Sequence, residues 1–173
     1  MGRHTLPPFN LGDWSILTNL MNNSKVAKVV TYPETASPGF VGAVSAADKL
    51  RLIDDSSFVK STDNPLSKSV TLVDFIHVNL GAVYAVSHIR WTLDFLSGGS
   101  GGAEGTVDVS DDNFTADTVE LEAAVAYVGN EVQYIWQVNK NIQYLRLHLK
   151  SDTDGARTLG WYPLLIYGNA IQL

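Results

Sequence analysis

Three acidic pairs (Asp54-Asp55, Asp111-Asp112, and Asp152 with Asp154) and four histidines (His4, His77, His88, His148) are the groups in this chain whose types could do chemistry. A glycosidase holds two carboxyls about 5–10 Å apart across a cleft. All three acidic pairs fall among turn-forming residues, where an aspartate ordinarily accepts hydrogen bonds from its own backbone, so capping is preferred to catalysis. No histidine has a partner at a metal-ligand spacing such as His-x-x-x-His, and His88 and His148 share polar strand faces with Arg90 and Arg146. No serine stands in a Gly-x-Ser-x-Gly elbow, and no Gly-x-x-x-x-Gly-Lys phosphate loop exists. Cysteine is absent, which removes thiol nucleophiles, disulfides and thiolate metal sites. These residues assemble no active site, and a non-enzymatic protein is expected.

Aromatic residues are the remaining means of binding. The chain has Trp14, Trp91, Trp136, Trp161 and seven tyrosines, which could stack on sugar rings or anchor an interface. Trp91 and Trp136 belong to alternating apolar sets and read as core. Trp161-Tyr162 follow a turn over residues 152–158 that contains Arg157. Arg157, Trp161 and Tyr162 are therefore the candidate glycan contacts, with inward packing as the other reading.

The elements that must position these residues read as strands. In Phe75–Phe95, Ile76, Val78 and Leu80 alternate with Phe75, His77 and Asn79. After Gly81, Ile89, Trp91, Leu93 and Phe95 alternate with His88, Arg90, Thr92 and Asp94. The spacing predicts strands over 72–80 and 83–96, joined as an antiparallel pair by a short glycine-marked turn. Further strands are predicted over 25–32, 106–109, 120–126, 131–138, 142–150 and 159–167, with Asn139-Lys140-Asn141 as a hairpin turn. Eight or so strands with no long helical pattern give an all-β fold, an antiparallel jelly-roll β-sandwich.

Several of these stretches also carry a family resemblance. Asn79-Leu80-Gly81, Tyr84 and Val86–Arg90 are similar to the Asp-Leu-Gly…Tyr-x-Val-x-x-Ile passage of discoidin-like (galactose-binding-like) domains. Val107–Asp112, Gln143–Leu149 and Leu164–Gly168 resemble later strands of that family, in order. The resemblance spans about residues 36 to 168 and implies a jelly-roll sandwich whose end loops bind sugar in some members. It also implies a structural calcium site in many members. Asp54 and Asp55 retain part of that loop, whereas Pro163 stands where a closing carboxylate would be, so no cofactor is expected beyond this partial calcium site.

At 173 residues, the chain suits one domain that buries about 70% of its unfolded surface. Residues 1–30 read as an N-terminal arm and 31–173 as the sandwich. Within the arm, Asp13 is placed to cap a short helix over Trp14–Asn22, and Phe9, Trp14, Leu17 and Met21 form a candidate partner-docking surface. The net charge of −6, without a basic cluster, argues against nucleic acid and anionic lipid as partners. No apolar run is long enough to span a membrane, and the opening MGRHTLPPFNLGDW has no apolar export core. The expectation drawn from these features is a structural or adaptor protein of a virus particle (a phage tail, collar or capsid accessory). It would be made in the host cytoplasm, reside in the virion as an oligomer, and dock on other subunits through the arm. The alternative is a carbohydrate-binding module for surface glycans.

Overall fold

The computed structural model describes residues 17–31, 52–53, 61–66, 73–95, 103–127, 131–151 and 157–170. Among these residues there are nine strands and no helix. They are β1 Leu17–Asn19, β2 Val29–Thr31, β3 Ser61–Leu66, β4 Val73–Phe95, β5 Ala103–Ser110, β6 Val119–Tyr127, β7 Val132–Ser151, β8 Arg157–Trp161 and β9 Leu165–Asn169. Every pairing is antiparallel, in the order β1-β9-β4-β7-β5-β6, with β2 and β8 also on β4 and β3 on β8. The expected all-β antiparallel sandwich is what forms.

Two expected hairpins are instead continuous strands. The halves of Phe75–Phe95 do not pair with each other; both lie in β4, and each pairs with a different half of β7. A two-residue hairpin of the favoured type needs φ > 0 at both central residues. Here Gly81 (φ 80°) and Asn139 (φ 48°) each supply a single left-handed residue, which bends a strand without reversing it. The register of β4 on β7 shifts between Asn79 and Tyr84, with Ala85 opposite Asn141, so both strands turn the same corner together. The first half of β4 then lies in one layer with β2, β5 and β6, and the second half in the other with β1, β8 and β9. Ile76 and Leu147 from one layer and Ile89, Trp91 and Trp136 from the other line a single apolar gap of about 10 Å³. The core therefore sits between the layers. Similarly, the predicted last strand is split into β8 and β9, because Pro163 has no N–H to give to a ladder.

The helix expected over Trp14–Asn22 is also corrected, from Leu17 onward. Leu17–Asn19 pairs with β9, and the Asn19 side-chain oxygen accepts from the N–H groups of Met21 (3.1 Å) and Ile166 (3.2 Å). Leu20 N–H donates to the Ile166 carbonyl (2.8 Å), and Asn23 closes the next turn onto Lys25 (2.9 Å). Asparagine side chains that bond nearby backbone compete with helix, and here they win. Leu20 and Met21 are 0% and 1% exposed in the core cluster, and Leu17 is half-buried in β1. Of the candidate docking residues, Met21 thus faces the protein's own interior, while Phe9 and Trp14 lie outside the described residues.

Gly168 shows how closely this segment packs. A Cβ there would lie 2.6 Å from the Ala85 carbonyl oxygen and 3.0 Å from Leu20 Cδ1. The first contact is with backbone and cannot swing aside. Gly168→Ala is expected to destabilise the fold by about 1–3 kcal/mol, read by urea denaturation; an unchanged midpoint would show that β9 can move away from Ala85 of β4 without cost.

Candidate functional site

The outer face of the second layer carries an open groove. Alternation along β4 sends Ile89, Trp91 and Leu93 inward and His88, Arg90 and Thr92 outward. On one side, β7 sets Gln133 and Ile135 opposite Thr92 and Arg90; on the other, β9 sets Leu165 and Tyr167 opposite Arg90 and His88. The Tyr162-Pro163 link between β8 and β9 closes one end. The resulting groove has a volume of about 280 Å³, lined by Arg90, Thr92, Gln133, Leu165 and Tyr167, with Trp91, Tyr162 and Pro163 completing the wall.

The wall is firmly held. Trp91 Nε1–H donates to the Tyr162 carbonyl (2.7 Å), and the Tyr162 hydroxyl donates to Glu131 Oε1 (3.0 Å). The Tyr167 ring stacks on His88 with centroids 4.8 Å apart and planes 18° apart. Burial, and then the neighbouring Arg90 charge, hold the His88 pKa below its usual value. Arg90 Nη2 donates to Gln133 Oε1 at 3.2 Å. Flat aromatic surface beside a guanidinium, an amide and a hydroxyl can take the apolar face of a polar ring while bonding to its oxygens. The Ser87 hydroxyl lies 3.1 Å from His88 Nδ1, but Ser87 is 0% exposed and is out of reach of any substrate.

A second polar cluster lies on the outer face of the first layer, where its arginine is paired with a carboxylate. Arg146 Nε donates to Asp108 Oδ2 (2.9 Å), and its guanidinium sits 4.1 Å from the centroid of the Phe114 ring. His77 and Tyr144 flank Phe114, with centroids 5.4 and 6.2 Å away. The loop carrying Phe114 is built on Asp112. Its carboxylate accepts from the Ser110 hydroxyl (2.9 Å) and from the N–H groups of Thr115, Ala116 and Asp117 (3.0, 2.8 and 3.1 Å). Asn113 and Phe114 take φ of 60° and 61° within this frame. Of the acidic pairs, Asp111-Asp112 is thus a turn cap.

Desolvation opposes ionisation of Asp112, but the Ser110 and backbone donors outweigh it and hold the pKa below the usual carboxylate range. A folded pKa depressed in this way adds loop stability that is present above about pH 4 and is lost as pH falls through the folded value. Protection factors at residues 115–117, taken against the intrinsic amide exchange rate at each pH, should therefore fall in acid, and Asp112→Ala should show the low protection already at pH 7. Equal protection in both proteins would contradict this.

The residues singled out from sequence are placed unevenly. Tyr162 lines the groove. Trp161 is 0% exposed and cannot stack on a ligand, because β8 pairs with both β3 and β4 and faces it inward. Arg157 opens β8 opposite Leu66, and its side chain lies outside the described residues, as do Asp54 and Asp55. Among the described residues no group of three or more His, Asp or Glu could hold a metal ion. Sequence reasoning missed Gln133, Leu165 and Tyr167 and treated Arg90 as a polar strand position.

No family model and no curated protein matches the sequence. Solved structures do. Chitosan-binding module 1 from the chitosanase/glucanase of Paenibacillus sp. IK-5 is 21% identical, with a TM-score of 0.52 over 87% of this chain and 99% of that one. The family 32 CBM (carbohydrate-binding module) of Clostridium perfringens NanJ, solved with galactose, is 15% identical, with a TM-score of 0.51 over 88% and 99%. The C. perfringens module CpGH89CBM32-6 is 12% identical, with a TM-score of 0.55 over 87% and 99%. At these identities the likeness fixes the fold, a discoidin-like β-sandwich.

Proposed function

We propose that this domain is a non-catalytic carbohydrate-binding module that seats a sugar in the groove on the outer face of its second layer. The observation that carries the reading is the groove itself, where Tyr162 and Tyr167 flank Arg90, Thr92 and Gln133 on an ordered sheet face. A pyranose ring presents an apolar face and a rim of hydroxyls, and this pairing of aromatic rings with fixed donors and acceptors suits both. The fold likeness to a chitosan-binding module and to a module solved with galactose supports the same reading. A virion role has less support, because Leu20 and Met21, from the segment expected to dock, are buried in the sandwich core.

A glycan array probed with the purified domain tests the proposal, followed by titration of the best ligand against Tyr167→Ala. Retention of defined glycans, unaltered on recovery, with affinity at least about tenfold weaker in the variant (1.4 kcal/mol), is the expected result. Absence of any retained glycan, or equal binding by the variant, would overturn it.

A further inference from the structure

The groove contains one charged side chain, Arg90, in a chain whose net charge is −6. Its bonding is incomplete. A guanidinium offers five N–H donors in a planar fork. Among the described residues, Arg90 has one acceptor, the neutral Gln133 Oε1 on Nη2, and no carboxylate within ion-pair distance. Its Nε is shielded from water and has no hydrogen-bond partner. A shielded donor on a charged group left without an acceptor is costly, so its persistence calls for a function. Arg146 supplies the internal comparison. It has the same side chain on the outer face of the same sandwich, with Nε on Asp108 and Phe114 over its plane.

On the premise that the groove binds sugar, we infer that it selects an anionic one, whose carboxylate or sulfate ester sits on the Arg90 guanidinium while Tyr167 carries the ring. Gln133 Oε1 occupies the place of one ligand oxygen. An anion that displaces the exposed Gln133 amide from Nη2 brings a second oxygen to Nε–H, completing the side-on fork that arginine makes with oxyanions. The depressed pKa of His88, owed to burial and then to Arg90, is consistent with positive charge from Arg90 at this end of the groove. This ligand class differs from the cationic chitosan named for one structural neighbour and the neutral galactose named for another.

Calorimetric titration of the intact domain with four trisaccharides of similar length tests the inference. The probes are neutral galactotriose, trigalacturonate, sulfated galactotriose and the glucosamine trimer. The expected result is tighter binding of an anionic trimer than of galactotriose by tenfold or more, with the glucosamine trimer weakest. The stronger of the two anionic arms identifies carboxylate or sulfate as the recognised group. In Arg90→Gln, of unchanged melting temperature, the anionic-to-neutral ratio should fall to near one, while Tyr167→Ala should weaken all ligands together. A ratio unchanged in Arg90→Gln, or preference for a neutral or cationic trimer, overturns the anionic inference and leaves the glycan reading standing. Failure to bind any of the four, combined with an empty glycan array, overturns both.

Discussion

Trp91→Ala is expected to lower the free energy of unfolding by about 3–5 kcal/mol, the usual cost of truncating a buried tryptophan. Trp91 is 3% exposed and lines the apolar gap between the layers with Ile76, Ile89, Trp136, Leu145 and Leu147. Its removal deletes the contacts through which the two halves of β4 meet across the core, and the stiff backbone of the corner limits how far the walls can close. The substitution also strips the 2.7 Å hydrogen bond from the Tyr162 carbonyl, so the groove wall should loosen as the core weakens. Trp91→Phe separates the effects: it retains most of the apolar area and loses the indole donor, for an expected cost of about 1–3 kcal/mol. Urea denaturation measures both. A loss below about 1 kcal/mol for Trp91→Ala would mean that the interior refills, contrary to close packing.

Deleting residues 2–24 is expected to unfold the domain. The deletion removes β1 from its pairing with β9 and takes Leu20 and Met21 out of the core, where neither shows measurable exposure above 1%. Truncating one such side chain costs about 2–5 kcal/mol, and domains of this size are stable by only about 5–15 kcal/mol. Loss of two side chains plus the strand hydrogen bonds approaches that whole margin. Circular dichroism and one-dimensional NMR of the truncated chain decide it. A truncated protein with a native-like spectrum and a sharp melt would restore the view of this segment as a detachable docking arm.

The fold was legible in the sequence because its signals are local. The alternation of Ile89, Trp91 and Leu93 with His88, Arg90 and Thr92 assigns both strand and face without knowledge of any neighbour. The corner was not legible. Gly81 and the Asn139–Asn141 stretch look like hairpin turns, and only the presence of a single left-handed residue in each strand distinguishes a bend from a reversal. Helical spacing misled at Leu17, Leu20 and Met21 because the pairing of Leu17–Asn19 with β9, and the bond from Ile166 N–H to the Asn19 side chain, depend on a strand far away in sequence. The groove was partly legible: Tyr162 was singled out from its place after a turn. Arg90, Gln133 and Tyr167 come from three strands that meet only through register, and no spacing along the chain reveals that they share a surface. Trp161 shows the converse, an aromatic in a binding-like context whose strand pairing turns it inward.

The central claim is that the outer face of the second layer is the ligand surface, and an NMR titration locates that surface directly. With backbone resonances assigned, the best ligand from the glycan array would be added stepwise to the full chain while amide shifts are followed. The account predicts saturable perturbations concentrated at Arg90, Thr92, Gln133, Tyr162 and Tyr167, with the Asp112 loop on the opposite layer unmoved. Saturable perturbations at that loop or at the sandwich ends, with the groove amides unchanged, would contradict it.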